Sequence, residues 1–240
     1  MSEWAAYEHD LDQTVVRFTL AQRVQHIVLI VVFTVLIVTG LPLLIPHVGT
    51  RLVGGVFAAR TVLHHFAGVA LLLLGVFHVV YVAVTADGRE AFRRLLPRLQ
   101  DVRDIAHHVR YQLGRTDVPP PFDRFDPFEK FEYLAVVWGS VVMVVSGFMM
   151  WFFETTLRLF PKWVYDLILA IHGYEAVLAF LAIILWHLYS VHLRPGVFPM
   201  SRVWLDGKIT LRELKEHHPR EYERWVRSQP VRAADPADGA

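Results

Sequence analysis

The 240-residue chain contains no cysteine. That excludes disulfides, thiolate metal sites, iron–sulfur clusters bound by this chain, and covalent haem attachment through C-x-x-C-H. Charge is also scarce, at 20% of residues, and it is missing altogether from residues 24–50, 61–86, 133–153 and 176–193. A soluble protein of this size rarely carries four such windows, and about 20 mostly apolar residues cross a bilayer core. The mean hydropathy of +0.37 agrees. Net charge is +1, a near-cancellation of 24 basic and 23 acidic side chains. It does not argue for a nucleic-acid partner, and none is expected. The 13% aromatics exclude intrinsic disorder. What the chain has in excess is histidine, 13 residues, several of them inside the apolar windows.

Four spans are predicted, at about 25–46, 62–86, 131–153 and 164–192. The first starts too far in, and is too long, for a cleaved signal peptide. Gly49, Gly54 and Gly55 mark the loop after it. The connection 87–130 ends in Pro119-Pro120-Pro121, a stiff extended strap. Lys and Arg number 20 in the N-terminal segment, this connection and the tail, against 4 in the two short loops. Positive residues favour the cytoplasmic side. The expected fold is an all-α integral membrane four-helix bundle with both termini cytoplasmic, in the bacterial inner membrane. Residues 1–24 form an N-terminal segment, 25–193 the transmembrane domain, and 194–240 a cytoplasmic amphipathic tail, disordered near its end. No internal repeat is evident. The likeness of Thr39-Gly40 to Ser146-Gly147 reads as small residues for close helix packing.

This orientation sorts the histidines by depth. His64, His65 and His172 fall in an outer layer, and His26, His78 and His187 in an inner one. At 1.5 Å per residue, His64 to His78 and His172 to His187 each span roughly 21–22 Å. Steps of 14 and 15 residues keep each pair on one helix face, whereas His65 turns away from His78. Two histidines from two helices at one depth can hold a haem iron from both sides. Gly68 and Gly75 leave room for a porphyrin. Zinc fits less well, since it prefers a tight cluster with carboxylate or thiolate.

The chain resembles the di-haem cytochrome b (gamma) subunit of membrane-bound formate dehydrogenases and, more loosely, that of membrane-bound hydrogenases and thiosulfate reductases. The residues that carry the resemblance begin with Arg23-x-x-His26, Thr39-Gly40 and Leu63-His64-x-Phe66-x-Gly68. Phe125-Asp126-x-x-Glu129-Lys130, Ser146-Gly147-x-x-x-Trp151, His172 and His187-x-Tyr189 follow. In the tail come Gly207-Lys208-Ile209-Thr210 and His217-His218-Pro219-x-x-Tyr222. The resemblance implies two non-covalent b-type haems, the outer on His64 and His172, the inner on His26 and His187. The step from His172 to His187 is one residue longer than expected for that family. His78 stands where the family has no ligand and competes with His26 for the inner haem. The resemblance also implies iron–sulfur and catalytic partner subunits, and menaquinone or ubiquinone as exchangeable substrate. It places Asp126, Glu129 and Lys130 near the quinone.

Glu175, one turn from His172, reads either as a tuning or proton-relay carboxylate or as a hydrogen-bonded group near the interface. Arg23 and Arg60 are candidate partners for haem propionates. His217-His218 reads as a solvated surface pair. The expected function is electron transfer between a partner oxidoreductase and the quinone pool. The alternatives are a self-contained membrane b-type reductase and a haem-free proton or metal transporter.

Overall fold

The computed structural model describes residues 10–45, 55–194 and 197–229, with backbone alone for 55–58. The expected loop glycines Gly49 and Gly54, and the tail end from Pro230, lie outside the described residues. The elements are β1 (Thr14–Val16), α1 (Leu20–Gly40), α2 (Gly55–Val84), α3 (Ala86–Leu95), α4 (Leu99–Gln112), α5 (Pro127–Trp151) and α6 (Phe153–Leu159). After them come α7 (Lys162–Leu181), α8 (Val203–Asp206), β2 (Lys208–Thr210), α9 (Leu211–His217) and α10 (Pro219–Ser228). A 3-10 turn, Leu41–Leu44, follows α1.

Among the described residues, four helices are long and apolar enough to cross a membrane: Leu20–Leu44, Ala59–Val84, Pro127–Trp151 and Lys162–Leu193. The charge-free windows underestimate them because their end turns carry Arg23, Arg60, Glu129 and Lys162. Local chemistry sets these ends. Thr19 accepts from the Gln22 N–H and Gln22 returns a bond to the Thr19 N–H, a capping box that starts α1. Asp126 accepts from the N–H groups of Phe128 and Glu129, while Glu129 accepts from the Asp126 N–H. These bonds satisfy donors that the first turn of α5 leaves open. Large apolar side chains on the long helices stay exposed, as in Leu73, Val79 and Leu178, each above 60%. In lipid such a surface costs nothing, which is why the fold needs no larger core.

The fourth span does not remain α-helical. Ala182–His187 and Tyr189–Leu193 form wider π turns. A π turn absorbs one extra residue without breaking the helix. The step from His172 to His187 runs through the first of these turns, where an extra residue is accommodated within the helix.

The chain divides into two compact units. One is drawn from Phe18–Arg93 and Phe131–Gly207 and holds most of the long helices. Within it, Gly207 closes α8 with φ +76 and bonds its N–H to Val203 at 2.9 Å. A Cβ there would lie 2.5 Å from the Phe18 carbonyl, so glycine is required on both counts.

The other unit is drawn from Met1–Arg17, Arg94–Lys130 and Lys208–Ala240. Here β1 pairs antiparallel with β2, Val15 opposite Ile209, a small strand ladder that an all-α reading omits. In this unit the connection carries α4, and the expected strap Pro119-Pro120-Pro121 is non-helical. Ile209, Leu211, Leu214, Tyr222 and Val226 form a core. Buried charge surrounds it: Arg17 meets Glu221 at 2.6 Å, Arg124 meets the same carboxylate at 2.9 Å, and Arg220 grips Asp104 through two bonds. Burial opposes ionisation of Asp123, yet the bonds from Arg224 and the Arg124 N–H, with the charges of Arg224 and Arg94, hold its carboxyl below the ordinary range. His218 is not solvated as expected for a surface pair. It is 8% exposed, donates from Nδ1 to the Asp123 carbonyl and accepts from Arg17 at Nε2.

Candidate functional site

The five candidate histidines divide into two facing pairs and one outsider. His64 of α2 and His172 of α7 stand with ring centres 6.4 Å apart. His26 of α1 faces His187, at the far end of the fourth span, with centres 6.2 Å apart. An imidazole nitrogen binds a metal at about 2.0 Å, so two rings on opposite sides of one metal stand about 6 Å apart. Both spacings fit. Among the described residues no three His, Cys, Asp or Glu side chains gather into an all-protein metal cluster.

Hydroxyl groups decide the tautomers at the first pair. Thr39 donates its single O–H to the Val35 carbonyl at 2.6 Å, so its oxygen accepts from His64 Nδ1 at 2.8 Å. Ser146 repeats this, donating to the Val142 carbonyl at 2.6 Å and accepting from His172 Nδ1 at 2.8 Å. With Nδ1 protonated, each ring keeps an Nε2 lone pair for a metal. The neighbouring glycines press on the same rings: a Cβ on Gly40 would lie 3.2 Å from His64 Cε1, and one on Gly147 3.3 Å from His172 Cε1. The two Thr/Ser-Gly steps therefore do more than let helices approach, as the sequence suggested; they seat the histidines. A cavity of about 210 Å³ opens beside them, lined by His64, Gly68, Met143, Gly147, Phe148 and His172. Nothing lies within 4 Å of where a Gly68 Cβ would stand.

At the second pair His187 Nδ1 donates to the Glu132 carboxylate at 2.9 Å. His26 also has Trp204 beside it, centres 6.2 Å apart. Two buried N–H groups, Nε of Arg23, one turn before His26, and Nε1 of Trp204, find no acceptor among the described residues. Such donors suit a carboxylate from a bound cofactor.

His78 is not brought to either pair. Its Nδ1 bonds Gln25 Oε1 and its Nε2 accepts from the Tyr133 hydroxyl, both at 2.9 Å. Both its ring nitrogens are thus engaged, and it is His26 that faces His187. His65 stacks on Trp151, centres 4.0 Å apart. The polar trio expected near quinone sits at the start of α5. Asp126 and Glu129 cap α5, and Lys130, 5% exposed, is locked to Asp101 at 2.6 Å. Arg60 donates to the Thr39 carbonyl at 2.7 Å. The Glu175 carboxylate rests over Gly139, where a Cβ would lie 2.7 Å from its Oε1.

Sequence reading missed Gln25, Thr39, Glu132, Tyr133 and Ser146 as site residues, and the missed signal was an internal repeat. Thr39-Gly40 stands 107 residues before Ser146-Gly147, and the same step takes Gln25 to Glu132 and His26 to Tyr133. On the return helices the step is 108 from His64 to His172 and 109 from His78 to His187. The added residue falls within the π turns. The bonds repeat as well: His64 to Thr39 matches His172 to Ser146, and His78 to Gln25 matches His187 to Glu132.

A sequence model described as prokaryotic cytochrome b561 matches residues 17–198. The chain belongs to that family. As a prokaryotic cytochrome b561 it is a multi-pass protein of the bacterial inner membrane, and the family is one of b-type haem proteins of electron transfer. Among curated proteins it is similar to the formate dehydrogenase cytochrome b556 subunit of Haemophilus influenzae, 23% identical over 222 residues, 91% of this chain and 86% of that one. It is also similar to the formate dehydrogenase cytochrome b556(fdo) subunit of Escherichia coli K12, 26% identical over 231 residues, 92% of this chain and 98% of that one. The cytochrome b561 match spans all four transmembrane helices and both histidine pairs.

Proposed function

We propose that this cytochrome b561 is the di-haem membrane subunit of a respiratory oxidoreductase of the formate dehydrogenase kind, passing electrons between its partner's iron–sulfur subunit and the quinone pool. The observation that carries it is the two facing histidine pairs, each spaced for one metal, set 15 residues apart along the fourth span and completed by His64 of α2 and His26 of α1. His64 and His172 hold the outer haem, His26 and His187 the inner one. The haems supply one-electron transfer. The chain's own part is to fix the ring tautomers through Thr39, Ser146 and Glu132, and to offer Arg23 and Trp204 as donors to propionate. Both termini are cytoplasmic, following the excess of Lys and Arg in the segments they share with the long connection. Quinone, menaquinone or ubiquinone, reacts at the His26–His187 end.

A pyridine-haemochrome assay on the purified full chain tests this reading. Two haems per chain are expected, and one or none overturns it. Reduction of the purified chain by quinol, with no turnover on a small soluble acceptor, separates the partner-dependent subunit from a self-contained reductase.

A further inference from the structure

The repeat yields four equivalent hydrogen bonds, each from the Nδ1 of a histidine on a returning helix to a side chain on the outgoing helix of the same half. Three acceptors are neutral: the hydroxyls of Thr39 and Ser146 and the amide oxygen of Gln25. The fourth is the carboxylate of Glu132, facing His187. The Glu132 and His187 side chains are 22% and 27% exposed, sheltered from full solvent screening. A carboxylate draws the Nδ1 proton toward itself, makes the imidazole a stronger donor at Nε2, and adds a negative charge beside the metal. Each effect favours the more positive, oxidised iron. Hydroxyls at the other pair exert neither charge nor comparable pull.

We infer that Glu132 is a positioning residue that sets the two haem sites apart in reduction potential, holding the His26–His187 haem below the His64–His172 haem. It also distinguishes the two halves of the repeat: the half with the carboxylate presents a ligand, His187, while the half with Gln25 presents His78, closed by Tyr133. The inference rests on the di-haem reading, so haem content of the wild-type chain is measured first. An empty wild-type chain fails that reading, before any variant is made.

The test is an optical redox titration of the purified full chain, wild type against Glu132→Gln and Glu132→Asp. Second-shell partners of metal-bound histidines are worth 10–100-fold. Glu132→Gln is therefore expected to raise the lower of two steps by ten- to hundredfold in the ferric–ferrous equilibrium, about 60–120 mV for one electron. The upper step stays in place, and one low-spin ferric EPR signal shifts with the lower step. Glu132→Asp restores both. Where Glu132→Gln sheds one haem, retention of both haems at wild-type potentials in Glu132→Asp supports the same role. Unmoved steps, equal movement of both steps, or no rescue by Asp overturns it.

Discussion

The two halves of the membrane unit agree at one end and part company at the other. At the His64–His172 end each half supplies a hydroxyl, a glycine and a histidine in the same geometry. At the other end His26 is matched by Tyr133, and Gln25 by Glu132. Between the ends, buried Val32 and Ala67 of one half stand against Gly139 and Glu175 of the other. The two halves thus match at one histidine pair and differ at the other, where His78 of the first half is closed by Gln25 and Tyr133 and His187 of the second bonds the Glu132 carboxylate.

The largest effect that would break this comparison is loss of a haem. His64→Ala and His172→Ala are each expected to remove one of two haems, whereas His78→Ala retains both, scored by haemochrome content per chain. A single haem in His78→Ala would restore it as a ligand and undo the assignment of His26. Next in size, Thr39→Val and Ser146→Ala each strand a buried Nδ1–H, at a cost of about 1–3 kcal/mol. The matched geometry requires matched costs, read as the denaturant midpoint at which the haem absorbance is lost. Unequal losses beyond about 1 kcal/mol would show the seat to be less symmetric than its distances.

The smallest effect concerns the unit outside the long helices. Asp123 has a depressed folded value, so its stabilisation is full above its unfolded value of about 3.9 and is lost as pH falls below it. Asp123→Asn should cost about 1 kcal/mol near neutrality. That difference should vanish toward pH 2, as measured by protection of residues 94–130 from proteolysis. A constant difference at every pH would assign the effect to packing instead of charge.

The four crossings were legible because lipid imposes a blunt rule of about 20 apolar residues per crossing. The histidine layers followed from the alternating direction of the spans and the rise of a helix. Three things were not legible. The π turns leave no mark in composition, and only the extra residue between His172 and His187 hinted at them. Helix starts were set by side-chain caps at Thr19 and Asp126, which a search for uncharged windows discards. The repeat was hidden because its best-matched residues are small and polar, and an apolar span makes such residues look like packing devices. The partner of Lys130 was not legible either: its ion pair with Asp101 joins residues 29 apart in sequence, which no local pattern announces.

The glycines beneath His64 and His172 have a consequence for how the protein is made. Each ring is fixed from two directions, by a hydroxyl at Nδ1 and by backbone against Cε1. A ring held this way has surrendered its rotational freedom during folding. Under the di-haem reading, each Nε2 is held toward one direction only, so a metal bound there meets a ligand that needs no reorientation, and less ordering entropy opposes its capture.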